Sequence, residues 1–402
     1  MTGERIGLYD VDSKIPNLAL MKLSAWHRNR GDFPELYRPV AHHAYSKIYA
    51  SKIFEFSTAP YLTPDMEKGG TGFDLATKLP DEIENLDPDY SIYRYPHSIG
   101  FTMRGCRFRC KFCVVPEKEG RPKGSKTIPE LWTNRGSSFV VLLDNDFFGQ
   151  VHWKERIQEM VDLDLMVNFS QGLNIRLITD EQAQALSTVK FRNLHNTRKQ
   201  VYFAWDRIRD EKLILDGVDR VTRAGIKPTY MAFYVLVGFD STPDEDMKRI
   251  MMIRDLGCDP YVMPYNRTDP YQKKIARWVN HKAVFGSTKW EDYQTTGRQK
   301  EAPYDEGQTL LLFAASLGEV QTLNDSDLES LRAGVRRVYD LMNRGGWHEA
   351  QAIRLAAGEH GIPASEGLRR MRELRKFGFE IERERVEGSR SWRYRLRSDR
   401  ND

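Results

Sequence analysis

Three of the chain's four cysteines, Cys106, Cys110 and Cys113, stand within eight positions in the stretch RGCRFRCKFCVVP, residues 104–116. The fourth, Cys258, lies far downstream. The spacing is C-x3-C-x2-C, with Phe112 directly before the last cysteine, and it constrains the fold more than any other feature. Three thiols this close in sequence need one short loop that offers them to a common partner. A cluster of three with one distant companion does not make a disulfide framework; in a reducing compartment it points to a metal or redox site. Structural zinc asks for four tetrahedral ligands, usually as C-x2-C pairs separated by a longer loop. Here the fourth would have to be His97 or Cys258. A four-iron cluster accepts three cysteines and leaves one iron open to an external ligand. The short, unequal spacing favours the iron–sulfur reading.

The rest of the composition sets bounds. A chain of 402 residues is expected to hold two or three domains. Its apolar share of 40% and charged share of 29% suit a soluble protein with real cores. No apolar run approaches the ~18 residues that span a bilayer. The N-terminal MTGERIGLYDVD lacks the basic-then-apolar pattern of a secretory signal. A cytoplasmic location with no membrane partner is therefore expected. The net charge of +4 is mild, so its placement matters more than its size.

Along the chain the texture changes. Residues 1–90 open with an apolar strand (IGLY), a polar loop (DVDSK), a helix begun by Pro16 that carries Leu18, Met21 and Leu23 inward, and a strand at Ser46–Ser51. Gly69-Gly70-Thr71-Gly72 marks a loop. Residues 91–300 alternate strand and helix. Strands are expected at Ser98–Met103, Phe139–Leu143, Met166–Phe169, Val201–Trp205, Tyr230–Val237 and Pro260–Met263. Their continuous apolar character suits a parallel sheet covered by helices. Six such units predict an open α/β barrel, with chemistry at the C-terminal strand ends. The cysteines follow the first strand, Asp144-Asn145-Asp146 the second, the QGLNIR stretch with Arg176 the third, and Asp206 the fourth. Gly238 opens the turn after the fifth, where Thr242, Pro243 and Glu245 form a capping box at the start of a helix.

This combination resembles the radical S-adenosylmethionine (SAM) superfamily over residues 91–300: C-x3-C-x-aromatic-C after the first strand, VGFDSTPDED at the fifth, and polar residues ending the others. The resemblance implies a partial (β/α)6 TIM-like barrel in which Cys106, Cys110 and Cys113 hold a [4Fe–4S] cluster. It implies that the open iron binds SAM, that Phe112 lies near the adenine, and that an external electron donor such as flavodoxin or ferredoxin serves the cluster. Superfamily members often carry Gly-Gly-Glu at the second strand end; this chain has Asp144-Asn145-Asp146, whose carboxylate could pair with the methionine ammonium. Arg176 is a candidate for the methionine carboxylate, since a guanidinium grips it bidentately. Asp206 and Gly238 complete the expected cofactor-binding set.

The flanks carry further resemblances. Residues 1–90 are similar to the Rossmann-like, cobalamin-binding-like domain that precedes the barrel in one radical SAM class. Such domains often carry Asp-x-His-x-x-Gly after the first strand. Here Asp10-Val11-Asp12-Ser13-Lys14-Ile15 has neither the histidine nor the glycine, so cobalamin held without a lower protein ligand is the form left open. A remnant fold used for packing or substrate access is the alternative. After a helical linker at 301–327, residues 328–402 resemble a winged helix-turn-helix. Helices are expected at Leu331–Met342, His348–Ala357 and Ser365–Lys376, and a hairpin over Phe379–Leu396. This region holds 17 Lys/Arg against 12 Asp/Glu, which suits nucleic-acid docking. Its glutamates equally suit a protein-interaction module. The whole resembles phage and bacterial radical SAM proteins, for which base modification is a sensible role. A peptide or small-molecule substrate is the next reading, and an iron–sulfur DNA-binding redox regulator is the competing class.

Overall fold

The computed structural model describes residues 3–294 together with the segments 348–349, 381–385 and 392–396. The expected linker at 301–327, the helices at Leu331–Met342 and Ser365–Lys376, and most of the His348–Ala357 helix lie outside the described residues. The chain divides into compact units, with a break between Tyr95 and Pro96, five residues beyond the boundary expected from texture.

The N-terminal unit is built on strands β1 (Arg5–Asp10), β2 (Phe33–Leu36), β3 (Lys47–Ser51) and β4 (Glu67–Gly69), with helices α1 (Leu18–Arg28) and α2 (Asp81–Glu84). All pairings are parallel, in the order β2-β1-β3-β4. The period-2 alternation of side chains sorts this sheet's residues between two small cores. Ile6, Leu8 and Tyr49 pack with Leu20, Leu23 and Ile83 of the helices, whereas Tyr9, Val11, Ile48 and Ala50 pack with Tyr45 and Met66. Helix α1 starts two residues later than expected from Pro16. Asn17 caps it, its side chain accepting from the Leu20 N–H at 3.2 Å. Leu20, Met21 and Leu23 are buried, and Leu18 is half-buried.

The second unit alternates strand and helix throughout. Its strands are β5 (Ser98–Gly100), β6 (Phe139–Leu142), β7 (Met166–Phe169), β8 (Lys190–Phe191), β9 (Val201–Ala204), β10 (Met231–Val237) and β11 (Asp259–Pro264). Its helices are α3 (Val115–Lys118), α4 (Ile128–Leu131), α5 (Trp153–Asp162), α6 (Asp180–Thr188), α7 (Glu211–Arg223), α8 (Pro243–Asp255), α9 (Pro270–Asn280) and α10 (Lys282–Ser287). Two parallel sheets result, β5-β6-β7-β8 and β9-β10-β11, and a parallel bridge between Leu173 and Phe203 links the segment after β7 to β9. All six expected strands are present. The first ends at Gly100 rather than Met103, because the Thr102 and Met103 N–H groups turn to Asp144 instead. The two-residue β8 was not expected; it is too short to leave a periodic signal.

One face of these sheets packs on helices: Val140, Val167, Phe191, Phe203, Phe233 and Val262 share a core with α5 through α9. On the other face of β9–β11, Tyr202, Tyr234 and Leu236 are half-buried, while Tyr261 and Met263 are exposed. Helix α8 begins as expected. The Thr242 Oγ1 accepts from the Glu245 N–H at 3.3 Å, and Glu245 accepts from the Thr242 N–H at 2.8 Å. Within α8, Asp246 and Arg249 are both fully buried and 2.5 Å apart. Arg249 donates to the Trp205 and Leu236 carbonyls, both at 2.8 Å, and Asp246 accepts from Gly238 N–H and Ser241 Oγ.

At the C-terminal end, β12 (His348–Glu349), β13 (Ile381–Arg385) and β14 (Trp392–Leu396) pair antiparallel in the order β12-β14-β13. The expected hairpin is present. His348 and Glu349, expected to begin a helix, instead pair as an edge strand with Tyr394 and Arg393.

Removing one member of a buried, hydrogen-bonded ion pair leaves the other charge uncompensated. Asp246→Ala is therefore expected to lower the unfolding free energy by roughly 3–5 kcal/mol. Urea denaturation measures this; a loss below about 1 kcal/mol would place the pair among solvated surface contacts.

Candidate functional site

The cysteines lie on one closed loop that follows β5. Arg104 and Lys123 exchange both backbone hydrogen bonds, at 3.0 and 2.9 Å, and so tie the loop at its base. One step inside, the Cys106 N–H donates to the Gly120 carbonyl at 3.2 Å. Gly105 makes this closure possible. Its φ is +84°, and a Cβ there would sit 2.4 Å from the Arg121 carbonyl oxygen. Further along, the Cys113 N–H donates to the Cys110 carbonyl at 3.0 Å, just before the short helix α3. All three cysteines are half-buried.

Burial dominates their electrostatics. It pushes the Cys106 thiol up to about 11, against a weaker lowering by the Phe108 N–H bonded to its sulfur. Burial likewise raises Cys110 and Cys113, and the Asp206 carboxylate raises both further. Arg176 and Arg207 act in the opposite sense on Cys110.

The strand ends supply the surroundings. Asp144, after β6, is buried, and its carboxylate accepts from Thr102 N–H at 3.2 Å, Thr102 Oγ1 at 2.9 Å and Met103 N–H at 2.5 Å. It ties the end of β6 to the start of the cysteine loop rather than lining a cavity. Burial raises its pKa to about 6, partly opposed by these hydrogen bonds. Asn145 is half-buried beside it. Asp146, also buried, holds Arg107 of the cysteine loop at 2.9 Å. Arg176 follows β7 in a single 3-10 turn, pairs with Asp210 at 2.9 Å, and lies over the Phe108 ring. Asp206 directly follows Trp205 after β9, and burial raises it to about 6. Gly238 has φ +76°, and a Cβ on it would meet the Gln272 side chain at 2.0 Å.

A cavity of about 340 Å³ brings part of this set together. Cys110, Phe112 and Arg176 line it, as do Phe239 and Asp240, which Gly238 turns into position. Phe112 meets Phe239 edge-on, with centroids 5.3 Å apart. Cys106, Cys113, Asp144, Asn145, Asp206 and Gly238 stand outside this lining. Reading the sequence alone missed Arg107, Phe108, Arg207 and Arg209. The signal available was position: all four lie in the loops that leave β5 and β9.

Both candidate fourth ligands for zinc are misplaced. His97 precedes β5 and bonds Ser137 Oγ at 2.7 Å. Cys258 precedes β11, is packed in the apolar core, and is raised by burial to about 12. In parallel sheets those positions are at the opposite edge from a loop that leaves the C-terminal end of β5. Among the described residues, no group of three or more His, Cys, Asp or Glu side chains is arranged to hold a single metal ion. In the N-terminal unit, the loop after β1 does not fit a histidine-ligated cobalamin. The Asp12 carboxylate there is committed to the Ile53 and Phe54 N–H groups at 2.7 and 2.8 Å, and Asp10 to Ser13 N–H and Tyr93 OH. In the C-terminal hairpin, Arg395 pairs with Glu382 at 2.6 Å and Arg393 with Glu384.

No family model matches the chain, and no curated protein matches it. Among solved structures it is similar to an HPPK-DHPS in complex with substrates, at 14% identity and a TM-score of 0.23. The match covers 65% of this chain and 39% of that one, and a likeness this slight carries no argument about fold or chemistry. No helix among the described residues is long and apolar enough to cross a membrane.

The raised Asp144 pKa sets a pH dependence. Between its unfolded value of 3.8 and about 6 the native carboxyl holds more protons than the unfolded one. Its contribution to stability is therefore present below that window and lost as pH rises through it. The stability of the wild type relative to Asp144→Asn is expected to fall by up to roughly 3 kcal/mol between about pH 4 and 7. Denaturant titrations of the metal-free proteins at several pH values measure this; a flat difference would mean an ordinary carboxyl.

Proposed function

We propose that this chain is a radical SAM enzyme that cleaves S-adenosylmethionine at a [4Fe–4S] cluster and modifies a substrate, with a nucleic acid or nucleotide ranked first. The observation that carries the reading is the closed loop bearing C-x3-C-x2-C at the C-terminal end of β5, with Cys110 and Phe112 opening on a cavity. The parallel strands in chain order support reading the second unit as a partial (β/α)6 barrel, and the antiparallel β12-β14-β13 sheet supports a winged helix.

The donor set fits the cluster. Three thiols on one loop are too few for a structural zinc site once His97 and Cys258 are excluded, and a four-iron cluster takes three cysteines while leaving one iron open. Burial makes bare thiolates costly here, a cost that a bound cationic cluster offsets. Asp146 and Asp206 add negative potential of the sign that favours iron. When bound, such a cluster supplies the electron that cleaves the SAM sulfonium to methionine and a 5′-deoxyadenosyl radical.

The chain's own residues then hold and shield. Cys106, Cys110 and Cys113 are the metal ligands. Phe112 and Phe239 form an apolar wall that suits an adenine, and Arg176, steadied by Asp210, offers its remaining N–H groups to a carboxylate. Asp144 acts as a positioning residue for the loop and is no longer assigned to the methionine ammonium. A flavodoxin or ferredoxin is the expected electron donor, and the cytoplasm the expected location. The regulator reading is weakened by the C-terminal hairpin, where Arg393 and Arg395 are already paired with glutamates.

Anaerobic reconstitution with iron and sulfide, followed by SAM and dithionite, is expected to yield 5′-deoxyadenosine. Cys110→Ala is expected to abolish both that product and the brown chromophore, read by mass spectrometry and absorbance. A variant retaining both would remove the cluster assignment, and zinc in place of iron would return the cysteines to a structural role.

A further inference from the structure

Among the described residues, the mouth of the cavity carries more positive than negative charge. Arg109, Lys111 and Arg209 are exposed there, and among the described residues none of the three has a carboxylate within ion-pair distance. The neighbouring cations are already committed: Arg107 to Asp146, and Arg176 and Arg207 to Asp210. Of the residues lining the cavity, Asp240 alone is acidic. The loop from Arg104 to Lys123 holds seven Lys/Arg and two Glu, a greater excess than the +4 of the whole chain. A charge excess set at a cavity mouth favours an anionic ligand there.

An aromatic row leaves the same cavity. Phe112 meets Phe239, and Phe239 meets Tyr265 at 4.8 Å between centroids. Tyr265 is 52% exposed, and Tyr261 and Met263 are exposed on the sheet face that the helices leave uncovered. Aromatic rings beside a row of unpaired cations are the combination by which proteins hold single-stranded nucleic acid, bases on the rings and phosphates on the cations.

We infer that the cavity mouth binds a nucleotide unit, its phosphate held by Arg109, Lys111 and Arg209 and its base laid against the outer ring, Tyr265, while Phe112 and Phe239 stay with the adenine of the proposed cofactor. The inference deepens the proposed function by naming the substrate class and its site, and it rests on that reading only for the chemistry that follows binding. It also moves nucleic-acid contact from the C-terminal hairpin to the cavity.

The test is fluorescence anisotropy of labelled single-stranded DNA and RNA oligonucleotides with the full-length, reconstituted protein, between about 50 and 200 mM salt. Replacing Arg109, Lys111 and Arg209 together with Ala is expected to weaken binding at least about tenfold and to flatten the salt slope by about 2, since each phosphate contact on a single strand contributes ~0.7. Arg209→Ala alone, which leaves the cysteine loop intact, is expected to remove about one contact's worth of slope. Tyr265→Ala is expected to weaken binding roughly fivefold or more with the slope unchanged. Arg393→Ala with Arg395→Ala is expected to change nothing. Competition by a free mononucleotide would assign the site to nucleotides, and its failure to strands. Absent binding by the wild type, wild-type affinity in the triple variant, or a loss confined to the hairpin variant would each overturn the inference. Deoxyadenosine formed without oligonucleotide binding would overturn it while leaving the enzyme reading standing; the reverse result would do the opposite.

Discussion

The second unit turns on the buried pair Asp246–Arg249. A guanidinium and a carboxylate removed from water are tolerated only when their remaining hydrogen-bonding capacity is met. Here Arg249 meets most of it with the Trp205 and Leu236 carbonyls, only its Nε staying without a partner, and Asp246 with the Gly238 N–H and the Ser241 hydroxyl of the turn that follows β10. One helix thus holds two strand ends and the turn carrying Phe239 and Asp240 in a single arrangement. Gly238 completes the lock: its positive φ strains any other residue, and a Cβ there would have to displace the Gln272 side-chain amide. The cavity wall opposite the cysteine loop inherits its shape from this pair.

The cysteine side is held by a matching device. Asp144 draws in the backbone of Thr102 and Met103, ending β5 early and launching the loop, and the Arg104–Lys123 bridge closes it again. In both places a buried carboxylate fixes backbone N–H: Asp246 that of Gly238, directly before Phe239 and Asp240, and Asp144 those of Thr102 and Met103, three residues before Cys106. The charged groups at the centre cancel in local pairs, while the uncancelled cations lie outside, where a ligand would arrive.

Much of this was legible in the sequence. The six main strands stood out because apolar runs of Val, Phe and Tyr between helical segments leave little choice in a parallel sheet. The capping box at Thr242 was equally plain, since its residue types and spacing are its mechanism. Asp144 and Asp206 were picked for the right strand ends, but sequence shows position without orientation: Asp144 turns to the backbone, and neither joins the cavity lining. Arg209 and Phe108 were passed over because a loop arginine or phenylalanine has no periodicity to mark it. The basic excess of residues 328–402 and the glutamates beside it were both legible as counts, but that Arg393 and Arg395 each face a glutamate across the hairpin is a fact of register alone.

The burial that raises the three thiols has a chemical consequence of its own. The thiolate is the form that attacks disulfides and reacts with peroxide. A thiol held up near 11, as at Cys106, is almost wholly protonated at neutral pH and correspondingly inert. In the unfolded chain the same cysteines would titrate normally and be open to oxidation. Folding therefore acts as a protecting group, holding the three sulfurs protonated and slow to react.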